Sequence, residues 1–146
     1  MPTTIGTGMA IEGDAVSVNG TIVKLWGIDA PDKGQTCLSV FRKEYDCFNK
    51  AKDALTNLVG SNVITCYVRG KDSQGQKVGT CGVNGLDLGA LMIKSGWALS
   101  FLSLSPQYVR LESLAQAKKI GVWAGQIEAP WLYRSRLVAD KNKKKK

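Results

Sequence analysis

The sequence EGDAVSVNGTIVKLWGIDAPD, residues 12–32, decides the fold. Its centre is the dipeptide Asn19-Gly20, and this dipeptide between two apolar runs predicts a β-hairpin with a tight turn. A hairpin folds the chain back on itself, so we expect Asp14 and Asp29, near its two open ends, to lie close together. Converging carboxylate oxygens favour Ca²⁺ or Mg²⁺, and such ions assist phosphate chemistry.

Outward from this hairpin, hydrophobic periodicity and helix-capping residues predict five strands and three helices. The strands are two segments between residues 8 and 28, followed by residues 62–69, 77–83 and 97–101, and the helices are residues 46–59, 87–94 and 105–119. Asp46, Asp87 and Ser105 are the predicted N-caps, and Gly60 ends the first helix. Strands and helices in this order predict an α+β fold, mainly β, built on a five-stranded OB-type barrel.

The length of 146 residues is that of one domain. We predict a single domain over residues 1–136, in which residues 8–124 form the core and residues 125–136 form a C-terminal extension. Residues 137–146 are expected to be a disordered, lysine-rich tail. Neither an internal repeat nor a second domain is visible.

Charge and composition narrow the possible functions. The formal net charge is +8, but five of the twenty Lys and Arg residues lie in residues 141–146, so the rest of the chain carries fifteen against twelve acids. The absence of histidine excludes histidine catalysis and a mixed Cys/His zinc site. No apolar run reaches about 18 residues, so we expect no membrane span. Residues 1–11 lack the features of a signal peptide, and an export signal is expected to be missing from this sequence.

The four cysteines, Cys37, Cys47, Cys66 and Cys81, allow three disulfide connectivities. Cys66 and Cys81 are nearly symmetric about a turn at residues 73–74, so a hairpin would set them opposite one another. Cys37 and Cys47 flank a polar stretch before the first helix. We predict the bridges Cys37–Cys47 and Cys66–Cys81, with four buried thiols as the alternative. Two bridges would indicate an oxidising compartment, either the periplasm or the cell exterior.

Several segments resemble the staphylococcal-nuclease (thermonuclease) family, whose patterns include D-G-D-T, R-L-x-G-I-D-A-P-E and D-x-Y-G-R. The similar segments are EGDA (12–15), KLWGIDAPD (24–32), DSQGQ (72–76), GWA (96–98) and ESLAQAKKIGVW (112–123). They follow the family's order over about residues 9–124. The resemblance implies an OB-type barrel, Ca²⁺ as cofactor, and DNA or RNA as the partner.

The resemblance also implies a metal site. Asp14 and Asp29 would bind one Ca²⁺ together with the backbone carbonyl of Ala30. Two carboxylates near each other need a cation, or one of them must take up a proton. The alternative is that neither binds metal, with Asp14 a solvated turn residue and Asp29 bonded to backbone amides before Pro31.

The catalytic positions implied by the resemblance are all substituted. Asp32 stands where the family has a glutamate that orients or deprotonates water, and it is one methylene shorter. Lys24 replaces an arginine, and a lysine offers a point charge in place of a bidentate fork. Gln76 replaces a second arginine, and the loss of such a guanidinium costs about 10³–10⁵ in the rate of phosphoryl chemistry. As alternatives, Asp32 would be a surface acid and Lys24 an ordinary strand lysine.

Lys77 and Phe101 are the candidates for ligand binding. Lys77 follows Gln76, but consecutive strand side chains point to opposite faces, so Lys77 would replace the arginine only through a shifted turn. Phe101 is near a family tyrosine that stacks on the nucleotide base. Phenylalanine retains stacking, and simple core or rim packing is the alternative.

The two predicted metal ligands, Asp14 and Asp29, are therefore retained, whereas the two arginines that would bind phosphate are replaced by Lys24 and Gln76. We predict a staphylococcal-nuclease-like, monomeric domain with impaired or absent hydrolysis, able to retain binding of a divalent cation and of nucleic acid or another anion. An active Ca²⁺-dependent nuclease with relocated cations is the alternative. A purely structural or protein-interaction domain is a third possibility, because fold alone does not determine function.

Overall fold

The computed structural model describes residues 3–101 and 106–144. The strands are β1 (Thr3–Gly6), β2 (Gly8–Glu12), β3 (Ala15–Val18), β4 (Thr21–Leu25), β5 (Ile28–Asp29), β6 (Cys37–Leu38), β7 (Glu44–Tyr45), β8 (Ile64–Lys71), β9 (Lys77–Val83), β10 (Leu86–Asp87) and β11 (Leu99–Ser100). The helices are α1 (Cys47–Val59), α2 (Leu88–Lys94), α3 (Pro106–Lys118) and α4 (Pro130–Lys144), with a 3₁₀-helix at Gly121–Ala124. The fold is α+β, as predicted.

One mixed sheet dominates the structure. Its strand order is β1-β8-β9-β4-β3-β2, and β10 pairs with β9. All neighbours are antiparallel except β4 and β9, which are parallel. The predicted hairpin joins β3 to β4, and its turn residues Asn19 and Gly20 have φ values of 51° and 84°. Positive φ at both positions is what a type I′ turn requires. The architecture is consistent with the predicted OB-type barrel.

The hydrophobic core lies between this sheet and helices α1 and α2. Its fully buried members include Val16, Val18, Val23, Leu25, Ile28, Leu55, Ile64, Leu88, Met92 and Ile93. A second, smaller cluster contains Leu99 and Val122 together with Cys37 and Cys47, and Trp131 of α4 packs against it. The second cluster therefore attaches the C-terminal helix to the body of the domain.

The residues predicted to begin and end α1 and to begin α2 are confirmed. Asp46 accepts a hydrogen bond from a first-turn N–H of α1 at 3.0 Å, and Asp87 accepts one from α2 at 2.9 Å. Gly60 follows the last residue of α1 with φ of 54°. Ser105, the predicted cap of α3, lies outside the described residues.

Both predicted disulfides are present. Cys37–Cys47 joins β6 to the start of α1, and Cys66–Cys81 joins directly opposed residues of β8 and β9. Such bridges are compatible with an extracellular or periplasmic location. Over the described ranges, none of the helices combines the length and the apolar character that crossing a bilayer requires.

Several elements differ from the prediction. Strand β1, which pairs with β8, was not predicted, and β6 and β7 are an extra two-stranded pair. The strand predicted over residues 97–101 is reduced to Leu99–Ser100. Helix α4 was also not predicted, and it continues to Lys144, so residues 137–144, which were expected to be disordered, are helical in the structure. Lysine is a good helix former, and positive charge at a helix C-terminus is favourable.

Candidate active-site cleft

A cleft of about 450 Å³ lies beside the open end of the β3–β4 hairpin. Its lining residues are Glu12, Lys24, Asp32, Lys33, Asp72, Ser73, Gln74, Gln76 and Arg134. The structure thus brings together Lys24, Asp32 and Gln76, the three positions predicted from the resemblance to be catalytic. Arg134 joins them from helix α4 and was not predicted.

Asp14 and Asp29 are buried side by side, as expected from the hairpin. Asp14 is 3% exposed and Asp29 is 1% exposed. The N–H of Ala30 donates to Oδ2 of Asp14 at 2.9 Å, which ties the two open ends of the hairpin together. Burial raises the pKa of Asp14 from 3.8 to about 7, against the lowering effects of the Ala30 N–H and of Lys24. The charges of Asp29 and Glu12 raise this pKa further.

Arg134 inserts its guanidinium among these acids. Nη1 and Nη2 donate to Oδ1 and Oδ2 of Asp29 at 3.0 and 2.7 Å. Nη1 also donates to Oδ1 of Asp32 at 2.8 Å. Bidentate pairing of this kind is the strong form of a charge-assisted hydrogen bond. The Arg134 side chain is 39% exposed, so it separates the buried Asp29 from the open cleft.

The charges of this cluster influence one another. Burial raises the pKa of Asp32, while the charge of Arg134 and its hydrogen bond lower it. The hydrogen bond to Asp29 raises the pKa of Arg134 above its ordinary value. The guanidinium is therefore a permanent cation at neutral pH, held between two carboxylates.

Gln35 holds the loop that carries Asp32. Its side chain is 1% exposed. Oε1 of Gln35 accepts the N–H of Asp32 at 3.0 Å, and Nε2 donates to the carbonyl of Glu128 at 2.6 Å. The acidic loop is thus tied to the segment that leads into α4. Gln35 also was not predicted as a site residue, and it positions Asp32 and Arg134 relative to each other.

Lys24 and Gln76 lie on neighbouring parts of the sheet. Lys24 is in β4, between Ala15 of β3 and Val78 of β9. Gln76 closes the turn before β9, where Oδ1 of Asp72 accepts N–H groups of Gln74 and Gln76, both at 2.9 Å. Asp72 therefore shapes the turn, and the side chain at position 76 brings no charge to the cleft.

Lys77 and Phe101, the predicted ligand-binding residues, are not part of the cleft lining. Lys77 is the first residue of β9, opposite Lys71 of β8. Phe101 donates its N–H to the carbonyl of Gly27 at 2.9 Å. Its ring packs against Trp131 with centroids 5.4 Å apart. An aromatic residue of the same chain thus contacts the ring that was predicted to stack on a base.

The donor chemistry of the buried pair fits a hard cation. Asp14 and Asp29 supply carboxylate oxygens, as Ca²⁺ prefers, and the guanidinium of Arg134 already stands in for a positive charge there. Across residues 3–101 and 106–144, no group of three or more His, Cys, Asp or Glu side chains is arranged to hold a metal ion. A divalent ion would therefore depend on the two aspartates and a backbone oxygen such as that of Ala30.

Comparison with known proteins places this arrangement in a family. The model of the family described as staphylococcal nuclease homologue matches residues 22–125. The chain belongs to this family. The match includes Asp29 and the three cleft positions predicted to be catalytic, whereas Asp14 precedes it and Arg134 follows it.

Three relatives illustrate the range of proteins to which the chain is similar. Succinoglycan biosynthesis protein ExoI of Rhizobium meliloti (strain 1021) is 31% identical over 127 residues, which cover 85% of the chain and 66% of that protein. Probable staphylococcal-like nuclease CAN3 of Oryza sativa subsp. japonica is 31% identical over 115 residues, which cover 77% of the chain and 28% of the relative. An uncharacterized endonuclease of Haemophilus influenzae (strain ATCC 51907 / DSM 11121 / KW20 / Rd) is 31% identical over 104 residues, which cover 70% of the chain and 53% of that protein. The chain thus spans less than two thirds of the length of these relatives.

Proposed function

We propose that this chain is a staphylococcal-nuclease-like domain that binds a divalent cation and nucleic acid, or another polyanion, but hydrolyses phosphodiesters poorly or not at all. The observation that carries the proposal is the contact of Arg134 with Asp29 and Asp32. Asp29, which would hold the metal, and Asp32, which would prepare the water, both bind the same guanidinium. Neither carboxylate is free for its catalytic task in this arrangement.

The phosphate side of the cleft supports the same conclusion. Lys24 offers a point charge where the family has a bidentate arginine. Gln76 brings no charge at all, and a missing guanidinium costs about 10³–10⁵ in rate. Asp32 is also shorter than glutamate, and a displacement of about 1 Å from productive geometry can cost on the order of a hundredfold in rate.

Binding of a polyanion needs less than hydrolysis does. The cleft lining contains three cations, Lys24, Lys33 and Arg134. Lysines at the end of α4 add exposed positive charge that would favour nucleic acid non-specifically. Bound Ca²⁺ would be held by Asp14, Asp29 and the carbonyl of Ala30, and it would neutralise phosphate charge as a Lewis acid. The disulfides favour a location in the periplasm or outside the cell for the proposed monomer.

An active Ca²⁺-dependent nuclease is the second candidate. Arg134 favours it, because a guanidinium beside Lys24 and Asp32 could contact a phosphate in place of the missing arginine. Two of the relatives described above carry nuclease or endonuclease in their names. This candidate requires Arg134 to leave Asp29 at least in part.

A plasmid-degradation assay separates the two candidates. The full chain is incubated with DNA in calcium and, in parallel, in a chelator, and Asp29→Asn is the matched control. We expect no cleavage, or slow cleavage, by the unmodified chain. Rapid calcium-dependent cleavage that Asp29→Asn abolishes would establish the second candidate instead.

Binding is tested separately by fluorescence anisotropy with single-stranded DNA and RNA at two salt concentrations. We expect affinity that falls as salt rises, because phosphate contacts release counterions. A variant lacking residues 141–146 controls for the terminal lysines. If binding disappears with those lysines, the cleft does not bind nucleic acid and this part of the proposal is wrong.

A further inference from the structure

We infer that Arg134 and a divalent cation compete for the carboxylate of Asp29, so that helix α4 is an internal plug that metal binding releases. This inference rests on the cation binding proposed above and adds the residue that regulates it. Nothing in the nuclease-like segments themselves supplies this contact, since Arg134 lies beyond all of them.

The first step of the argument is the occupancy of Asp29. Both carboxylate oxygens accept hydrogen bonds from Arg134, at 3.0 and 2.7 Å. Asp29 is 1% exposed, so an incoming ion cannot reach it from an open side. A cation that coordinates Asp29 must share an oxygen with the guanidinium or displace it. Two positive groups on one buried carboxylate would also repel each other.

The second step is that Arg134 can leave without losing every partner. Its side chain is 39% exposed, and Nη1 also bonds Asp32, which is 26% exposed. Release from Asp29 would leave the guanidinium anchored on Asp32 at the edge of the cleft. The N–H groups freed from Asp29 would then be available to a phosphate oxygen.

The third step concerns charge. The cleft lining, taken together with Asp14 and Asp29, carries five acidic and three basic side chains. This excess of negative charge opposes a phosphate until a divalent ion enters. Metal entry removes the excess and frees a guanidinium at the same time. The charges therefore favour an order in which the metal binds first and the anion second.

Calorimetric titration of Ca²⁺ into the full chain tests the competition. We expect Arg134→Gln to bind Ca²⁺ at least about tenfold more tightly than the unmodified chain, the equivalent of one charge-assisted hydrogen bond. Arg136→Gln is the matched control. Arg136 lies on the same helix but pairs with Glu128 and Asp140 outside the cleft, so we expect its removal to leave Ca²⁺ affinity unchanged.

Two further measurements keep the inference testable if Arg134→Gln folds poorly. Arg134→Lys keeps one charge but loses the bidentate fork, and it should show an intermediate Ca²⁺ affinity. Hydrogen exchange on the unmodified chain should become faster over residues 130–144 when Ca²⁺ is added, because the helix loses its two hydrogen bonds to the buried Asp29 and keeps only the one to Asp32.

Equal Ca²⁺ affinity in the unmodified chain and in folded variants of Arg134 would overturn the inference. Exchange over residues 130–144 that stays constant or slows when Ca²⁺ binds would overturn it as well. If no variant binds Ca²⁺, the inference and the proposed cation site both fail. The nucleic-acid titration described above, carried out both with Ca²⁺ and with a chelator, then shows whether polyanion binding survives without the cation site.

Discussion

Removing Arg134 is expected to destabilise the protein more than removing Asp29, because the two partners differ in burial. In Arg134→Gln, the Asp29 carboxylate, which is 1% exposed, loses both guanidinium bonds. Truncating one partner of a buried ion pair costs about 3–5 kcal/mol. In Asp29→Asn, the remaining partner is 39% exposed and still bonds Asp32. We therefore expect that loss to be smaller, about 1–2 kcal/mol.

The double variant gives the sharpest form of this prediction. Arg134→Gln combined with Asp29→Asn leaves two neutral amides and no buried unpaired charge at this position. It should be more stable than Arg134→Gln alone by about 1–3 kcal/mol, although it carries one more substitution.

Urea unfolding at neutral pH in a chelator, followed by circular dichroism, measures the free energies of unfolding for the full cycle. Arg136→Gln serves as the control, and its effect should stay within about 0.5 kcal/mol because its partners are exposed. A double variant less stable than Arg134→Gln would refute the claim that Arg134 neutralises a buried charge on Asp29.

Three other predictions concern the cleft and the bridges. Joint replacement Lys24→Arg, Gln76→Arg and Asp32→Glu should raise calcium-dependent DNA hydrolysis by at least about a hundredfold over the unmodified chain; no gain in a folded, calcium-binding triple variant would contradict the assignment of these positions. Because burial raises the pKa of Asp14 from 3.8 to about 7, the native state holds a proton that the unfolded state releases. Between those values the free energy of unfolding should therefore fall as pH rises, by at most about 1.4 kcal/mol per pH unit for this group; urea titrations should show a weaker dependence in Asp14→Asn, and an identical dependence would contradict the raised pKa. Thiol titration of the denatured, unreduced chain should find no free thiols, whereas four free thiols would show that neither disulfide forms.

The features predicted correctly from the sequence depend on local chemistry. The Asn19-Gly20 turn is set by two residues that tolerate positive φ, and its position determines which acids face each other. Cys66 and Cys81 could be paired because they flank a single hairpin at matched distances. The short pair β6–β7 was not predictable in the same way, since strands of two residues show no periodicity.

Arg134 could not be assigned because its contacts are remote in sequence. Its partners Asp29 and Asp32 are 105 and 102 residues away, and the contact exists only because α4 docks on the second hydrophobic cluster. One signal was available. Proline followed by tryptophan at residues 130–131 is typical of the start of a helix that packs against the domain. Arg134 lies one turn later, on the same side of such a helix, and Asp29 and Asp32 had no arginine partner in the sequence-based prediction.

The location of Arg134 outside the residues that match the family has a consequence for protein engineering. A chain that stopped at residue 125, where the family match ends, would keep Asp29 and lose its resident counter-ion. The Asp29 carboxylate would then be accessible to cations in the medium. Adding or trimming one terminal helix would therefore change the restraint on this cleft without altering any residue of the segment that matches the family.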